Sequence, residues 1–256
     1  MAAIHPTWAV FEHQLVAYRR VWRGSVFSSF LVPVLVLLGM GLTVGGYVDR
    51  SGSLGVRYLD FIAPGLLAST AMQVAIGEST YPVFGNFVWT RMYHMMRATP
   101  VRIGDMVSGH IAYVLLRVLL STSGFLVAIT AFRAVHSWRA LLALPVAVLV
   151  GLAVAGPIFA YSATITSDGM FAIIFRFVMI PMSLFAGVFF PVASMPLAAR
   201  LLAYVSPLWH GVELTRAATL GVPTAWGIWT HVACLLAWCA MGYTLAIWRF
   251  SRRLAD

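Results

Sequence analysis

The sequence predicts an all-α integral membrane protein. It should have six transmembrane helices, an N-terminal amphipathic interfacial helix and a re-entrant helical segment between spans five and six. Three observations carry this. Of 256 residues, 61% are hydrophobic and only 10% are charged, a balance that suits the bilayer as solvent. Six apolar runs, at 25–46, 60–84, 106–131, 141–163, 171–190 and 225–248, each reach the ~20 residues that a helix needs to cross the hydrocarbon core. The charges fall mostly between those runs. No soluble domain, low-complexity tract or internal repeat interrupts the pattern, so 1–256 is read as a single transmembrane domain.

Residues 5–23 come first. Trp8, Phe11, Leu15, Tyr18 and Trp22 recur at three- and four-residue intervals, opposite Glu12, Arg19 and Arg23. That spacing gives an amphipathic helix lying in the membrane interface. No small-residue cleavage site follows the first apolar run, so a removable signal peptide is not expected. The second span opens at Asp60 with Pro64 in its first turn, where a missing N–H costs little. Residues 89–104 form a compact basic loop with Arg91, Arg97 and Arg102, in which Thr99-Pro100 ends a short helix. Asp105 then caps the third span.

After the fifth span the chain reads Phe189-Phe190-Pro191, then Met195-Pro196, Arg200 and Ser206-Pro207, and it turns at Gly221-Val222-Pro223. A stretch this apolar, broken by prolines and still carrying charge, makes a poor simple span. It reads as a re-entrant segment over 191–222. Glu213 and Arg216 are three residues apart, which puts them on one helix face as a local pair. The Phe189-Phe190 and Trp226-Trp229 aromatics suit anchoring at the membrane interface.

All seventeen basic residues are arginine. A phosphate-binding Walker A loop requires lysine, so this chain cannot supply an ATP site of that kind. Any ATP and magnesium must be held by a separate polypeptide, and no cofactor is expected in this chain. The net charge of +9 is assigned to lipid headgroups rather than to nucleic acid. With the N-terminus inside, nine arginines fall on the cytoplasmic side and six opposite. The positive-inside rule then places both termini in the cytoplasm. Cys234 and Cys239 lie on different helix faces and form no disulfide or metal pattern.

Charges within spans are costly and mark candidate sites. Glu78 in span two and Arg117 in span three fall at similar depth on antiparallel neighbours and are expected to pair, chiefly to hold the bundle. Arg176, near the start of span five, is read as snorkelling to headgroups. His210, Glu213 and Arg216 stand in line, but as a helix-fixing set rather than an acid–base site. The seven histidines show no metal-ligand spacing and no catalytic site is predicted.

Two motif strings carry a family resemblance: F-x-G-x-F-F-P from Phe185 with the later P-L…E-x-x-R, and Y-x-x-F-x-A-P-G from Tyr58 with M-R-A-T-P-x-R-x-G-D from Met96. They resemble the type-2 ATP-binding-cassette exporter permeases, in particular the nodulation lipo-oligosaccharide and daunorubicin-type branches, over nearly the whole chain. The resemblance implies a permease subunit of an ATP-driven exporter in the bacterial plasma membrane. It further implies that residues 89–104 (Arg91, Arg97, Thr99, Pro100, Arg102, Asp105) form the coupling element on which a partner ATPase docks, with the N-terminal helix beside it. Six spans make half a pore, so a second permease copy or related chain is implied. The cargo would be amphiphilic, a lipid-linked oligosaccharide or a hydrophobic drug. The alternative from another class is an integral-membrane transferase acting on a lipid-linked substrate.

Overall fold

The computed structural model describes residues 5–52 and 55–255, and among them every regular element is helical. In order these are α1 (Pro6–Ser51), α2 (Tyr58–Ser79), α3 (Tyr81–Val88), α4 (Met92–Arg97), α5 (Ile103–Ala131), α6 (Ala143–Ser162), α7 (Asp168–Phe185), α8 (Leu197–Val205), α9 (Pro207–Leu220) and α10 (Ile228–Ala255). Five stretches are long and apolar enough to cross a bilayer: Tyr58–Val88, Ile103–Ala131, Trp138–Ser162, Asp168–Phe185 and Ile228–Ala255. The arms Leu31–Gly41 and Thr43–Arg50 of α1 pass the same test together and meet at about 40°. One cause of bending lies at the joint: the Thr43 hydroxyl donates to the Gly39 carbonyl, a back-bond that bends helices.

The boundaries differ from expectation in three places. Residues 5–23 are not a separate element, since α1 runs unbroken from Pro6. Nothing between Pro6 and Pro33 stops a helix except Gly24, which weakens one without ending it. Its buried line is Val10 and Gln14, with Phe11 and Tyr18 beside them, while Trp8 and Trp22 are exposed. Pro64 lies in the second turn of α2, not the first. The helix starts earlier, at Tyr58, whose N–H is taken by the Asp49 carboxylate at 2.7 Å. The second span breaks at Thr80 (φ −95°, ψ −97°) and resumes as α3 with Pro82 in its first turn, where the missing N–H is harmless.

Span two is the axis of the bundle. It packs against α1, α5, α6 and α9, and from Tyr58 to Met72 every residue but Leu59 is buried. Spans four and six are backbone to backbone. A methyl group on Gly156 would sit 2.5 Å from the Gly242 carbonyl carbon, and one on Gly242 would run into the Pro157 ring. Only glycine permits that approach. Span five is the exception, since of residues 168–185 only Phe171 and Ile174 are buried. Its hydrogen bonding widens to a π-turn over Ile174–Met179, which places Arg176 exposed among Ile173, Phe177 and Ile180.

Candidate docking face and buried polar clusters

The basic loop is held rigidly at its centre. Arg91 sits in the left-handed region (φ 51°) and starts α4. Tyr93, the one buried residue of α4, brings its hydroxyl 2.5 Å from His110 Nδ1 on span three and packs against Phe87 and Phe250. Burial pushes its phenol pKa up, so it stays neutral. Around this pin Arg91, His94, Met95, Arg97, Thr99, Pro100 and Arg102 are exposed. The Thr99 hydroxyl donates to the Met96 carbonyl at 2.6 Å and closes the turn before Pro100. Asp105 caps span three from inside its first turn. Arg102 is the boundary residue, and Asp105 Oδ2 accepts its N–H at 3.1 Å. Asp105 Oδ1 also accepts the Thr7 hydroxyl at 2.7 Å, tying the start of α1 to the loop. No signal in the sequence marked Thr7 for this, because its partner lies 98 residues away.

Deeper in the bundle, Arg117 Nε donates to Glu78 Oε1 at 2.9 Å. The Arg117 side chain is 2% exposed and that of Glu78 19%. Tyr113 OH lies 3.4 Å from Glu78 Oε2, and the guanidinium covers the Tyr18 ring at 4.3 Å. Glu78 thus sits at the edge of an enclosed cationic site, with Gln73 and Gly77 exposed on the same helix.

At the far end of span two, Pro191 and Pro207 bracket α8, and Pro207 starts α9 with the Ser206 hydroxyl as its cap. Phe189 is half-buried and Phe190 is 54% exposed. Arg216 pairs with Glu213 at 3.2 Å, lies 4.0 Å over the Phe61 ring and donates to the Gly187 carbonyl at 2.9 Å. Gly187 has φ 78°, a conformation that suits glycine and aims its carbonyl at the guanidinium. Glu213 Oε2 also accepts the Ala225 N–H at 2.9 Å. One ion pair therefore fastens the end of span five, the start of span two and the turn before span six. The sequence placed the pair on one face but gave no sign of the Gly187 carbonyl, the Ala225 amide or the Phe61 ring as its partners.

His210 does not join Glu213 and Arg216. Its Nε2 lies 3.0 Å from the Tyr204 carbonyl, which can only accept, so that nitrogen carries the proton. Its Nδ1 lies 2.9 Å from His231 Nδ1, and the neutral pair requires His231 to donate there. Trp209, Trp226 and Tyr204 pack around the two rings. Burial lowers the His210 pKa to about 4, with the neighbouring His231 adding to the effect. The two histidines are 21 residues apart on different helices, so no local spacing could reveal them. Among the described residues no group of three or more His, Cys, Asp or Glu is placed to hold a metal ion.

A family model described as ABC-2 type transporter matches residues 5–220. The chain belongs to the ABC-2 type transporter family. The match takes in α1, the basic loop, the Glu78–Arg117 pair, α8 and α9. The chain is similar to nodulation protein J of Rhizobium leguminosarum bv. trifolii, 31% identical over 247 residues that cover 96% of this chain and 93% of that protein. Nodulation protein J of Sinorhizobium fredii is also 31% identical, with 96% and 93% covered. That of Bradyrhizobium diazoefficiens is 30% identical over 250 residues, again with 96% and 93% covered. The chain is a transmembrane permease subunit of an ABC-2 type transporter, a multi-pass protein of a bacterial membrane. Family membership decides between the permease and the transferase.

Proposed function

We propose that this ABC-2 permease is the membrane half of an ATP-driven exporter for an amphiphilic cargo, driven by a separate ATP-binding-cassette ATPase that docks on residues 89–104. The observation that carries this reading is the loop geometry. Tyr93 pins α4 into the bundle, so a force applied to the exposed Arg91, Arg97 and Arg102 is passed to spans two, three and six. In this reading ATP and magnesium are bound by the ATPase, and both termini are cytoplasmic. A second permease copy, identical or related, completes the path. The motif resemblance leaves a lipid-linked oligosaccharide or a hydrophobic drug as cargo, and similarity to the nodulation J proteins sides with the nodulation lipo-oligosaccharide branch, hence with the former.

Glu78 and Arg117 serve the bundle rather than the cargo, because the guanidinium is enclosed. Glu213, Arg216, Phe189, Phe190, Pro191 and Pro207 shape and fasten the segment at the other end of the path.

The test is co-expression with the ATPase encoded beside this chain, followed by reconstitution in bilayers. The wild-type pair should co-purify and hydrolyse ATP. Changing Arg97 and Arg102 together to Glu should abolish both. Normal binding and hydrolysis by that variant would remove residues 89–104 from the docking role. Failure of any such ATPase to associate with the wild-type chain would sink the two-subunit assembly.

A further inference from the structure

The last turns of α10 carry a cation arrangement that neither the docking face nor the polar clusters use. Trp248 is 42% exposed. The guanidinium carbon of Arg249 lies 4.4 Å from its ring centroid, and that of Arg252 lies 4.3 Å from the same ring. One indole therefore holds two guanidinium groups, and stacking fixes side chains that are otherwise flexible. Among the described residues neither group forms an ion pair with a carboxylate. Their neighbour Arg253 behaves differently. It turns inward, donates to the carbonyls of Ser162 and Ile165 at 2.9 and 3.0 Å, and covers the Phe87 ring at 4.5 Å. That anchor fixes the helix end on which the other two stand. One and two turns back on the exposed side lie Leu245 and Met241, both uncovered.

We infer that Trp248, Arg249 and Arg252 form a binding site for an anionic phospholipid, its phosphodiester bound by the N–H groups of the stacked guanidinium groups and its acyl chain laid along Leu245 and Met241. Charge and shape both select that occupant. Two unpaired cations need an anion, arginine forks match phosphate oxygens, and the apolar strip directly adjoining them suits a chain that a free phosphate ion lacks. Indole at the headgroup level is favourable in itself. The site lies at the end of span six and does not depend on which leaflet that end faces, nor on the partner ATPase.

The experiment is native mass spectrometry of the full chain in detergent, titrated with phosphatidylglycerol, with phosphatidylcholine and inorganic phosphate as separate arms. Wild type should retain phosphatidylglycerol in preference to phosphatidylcholine and should not retain phosphate. Arg249→Gln with Arg252→Gln should weaken phosphatidylglycerol binding about 30-fold, from the usual attraction per arginine near a membrane surface. Trp248→Leu keeps both charges and should still weaken it about threefold by freeing the guanidinium groups. Unchanged binding in the double glutamine variant would overturn the site, and so would equal retention of phosphatidylcholine. Wild-type affinity in Trp248→Leu would show charge attraction without a built site and would also overturn it. Retention of inorganic phosphate at comparable affinity would reassign the site to a soluble anion. Matching thermal unfolding of the variants shows that each is folded.

Discussion

Arg117 is a charge that span three cannot expose and can scarcely leave alone. Its guanidinium is buried against Glu78, Tyr18 and Tyr113, so removing one partner of the pair strands the other in a medium of low polarity. Glu78→Gln should destabilise the protein by roughly 3 kcal/mol, the lower part of the range for breaking a buried pair, because Glu78 keeps some exposure. Adding Arg117→Met should recover part of that loss, read as thermal unfolding in detergent. Strictly additive losses would show that the two groups do not support one another. A second residue-scale expectation concerns His210. Its folded pKa, about 4, lies below the ordinary 6.5, so between those values the unfolded chain binds the proton more readily. Stability is then full above pH 6.5 and falls as the pH drops towards 4. His210→Gln should flatten the dependence of unfolding temperature on pH across that window, and an unchanged slope would assign the dependence elsewhere. Glu78, Arg117, Glu213 and Arg216 could be singled out in the sequence because charge in an apolar run is conspicuous. His231 could not, since a histidine inside a span declares nothing until its partner on another helix is known.

Elements were legible in proportion to how much of their reason is local. All six apolar runs become helices, because length and apolarity are properties of the segment itself. The join between 5–23 and the first span follows from local sequence, since nothing there ends a helix, whereas the earlier start of α2 at Tyr58 and the break at Thr80 were not legible, because contacts with residues on other helices help to set them. Asp49 takes the Tyr58 N–H, and Ser162 donates its hydroxyl to the Ser79 carbonyl at 2.7 Å, beside the break. The contact between spans four and six is likewise invisible in a sequence with 21 glycines; only the fold picks out Gly156 and Gly242. Gly242→Ala forces a methyl into the Pro157 ring and should cost about 1–3 kcal/mol, the usual penalty of overpacking. Thermal unfolding and loss of assembled protein on size-exclusion chromatography would register it. Gly221→Ala is no fair control, since Gly221 has φ 74°. Gly24→Ala is one, with open space around it, and should raise stability by up to about 1 kcal/mol through helix propensity alone. Equal effects at 24 and 242 would contradict the close-packing account.

For the molecule as a whole, packing is uneven in a way that suits transport. Span two is enclosed, and spans four and six are joined at the backbone. Span five is hardly covered within the protomer and carries a π-turn, a feature frequent at functional sites. The long helix α1 relates these parts. Its 46 residues amount to about 69 Å of helix. At one end Thr7 is fastened to Asp105 beside the basic loop, and at the other Asp49 is fastened to the first amide of span two. A single pushrod thus runs from one face of the membrane to the other, with a joint of about 40° partway along it. A stroke delivered at Thr7 would reach Tyr58 without crossing a loop, turned on its way through the angle of the joint.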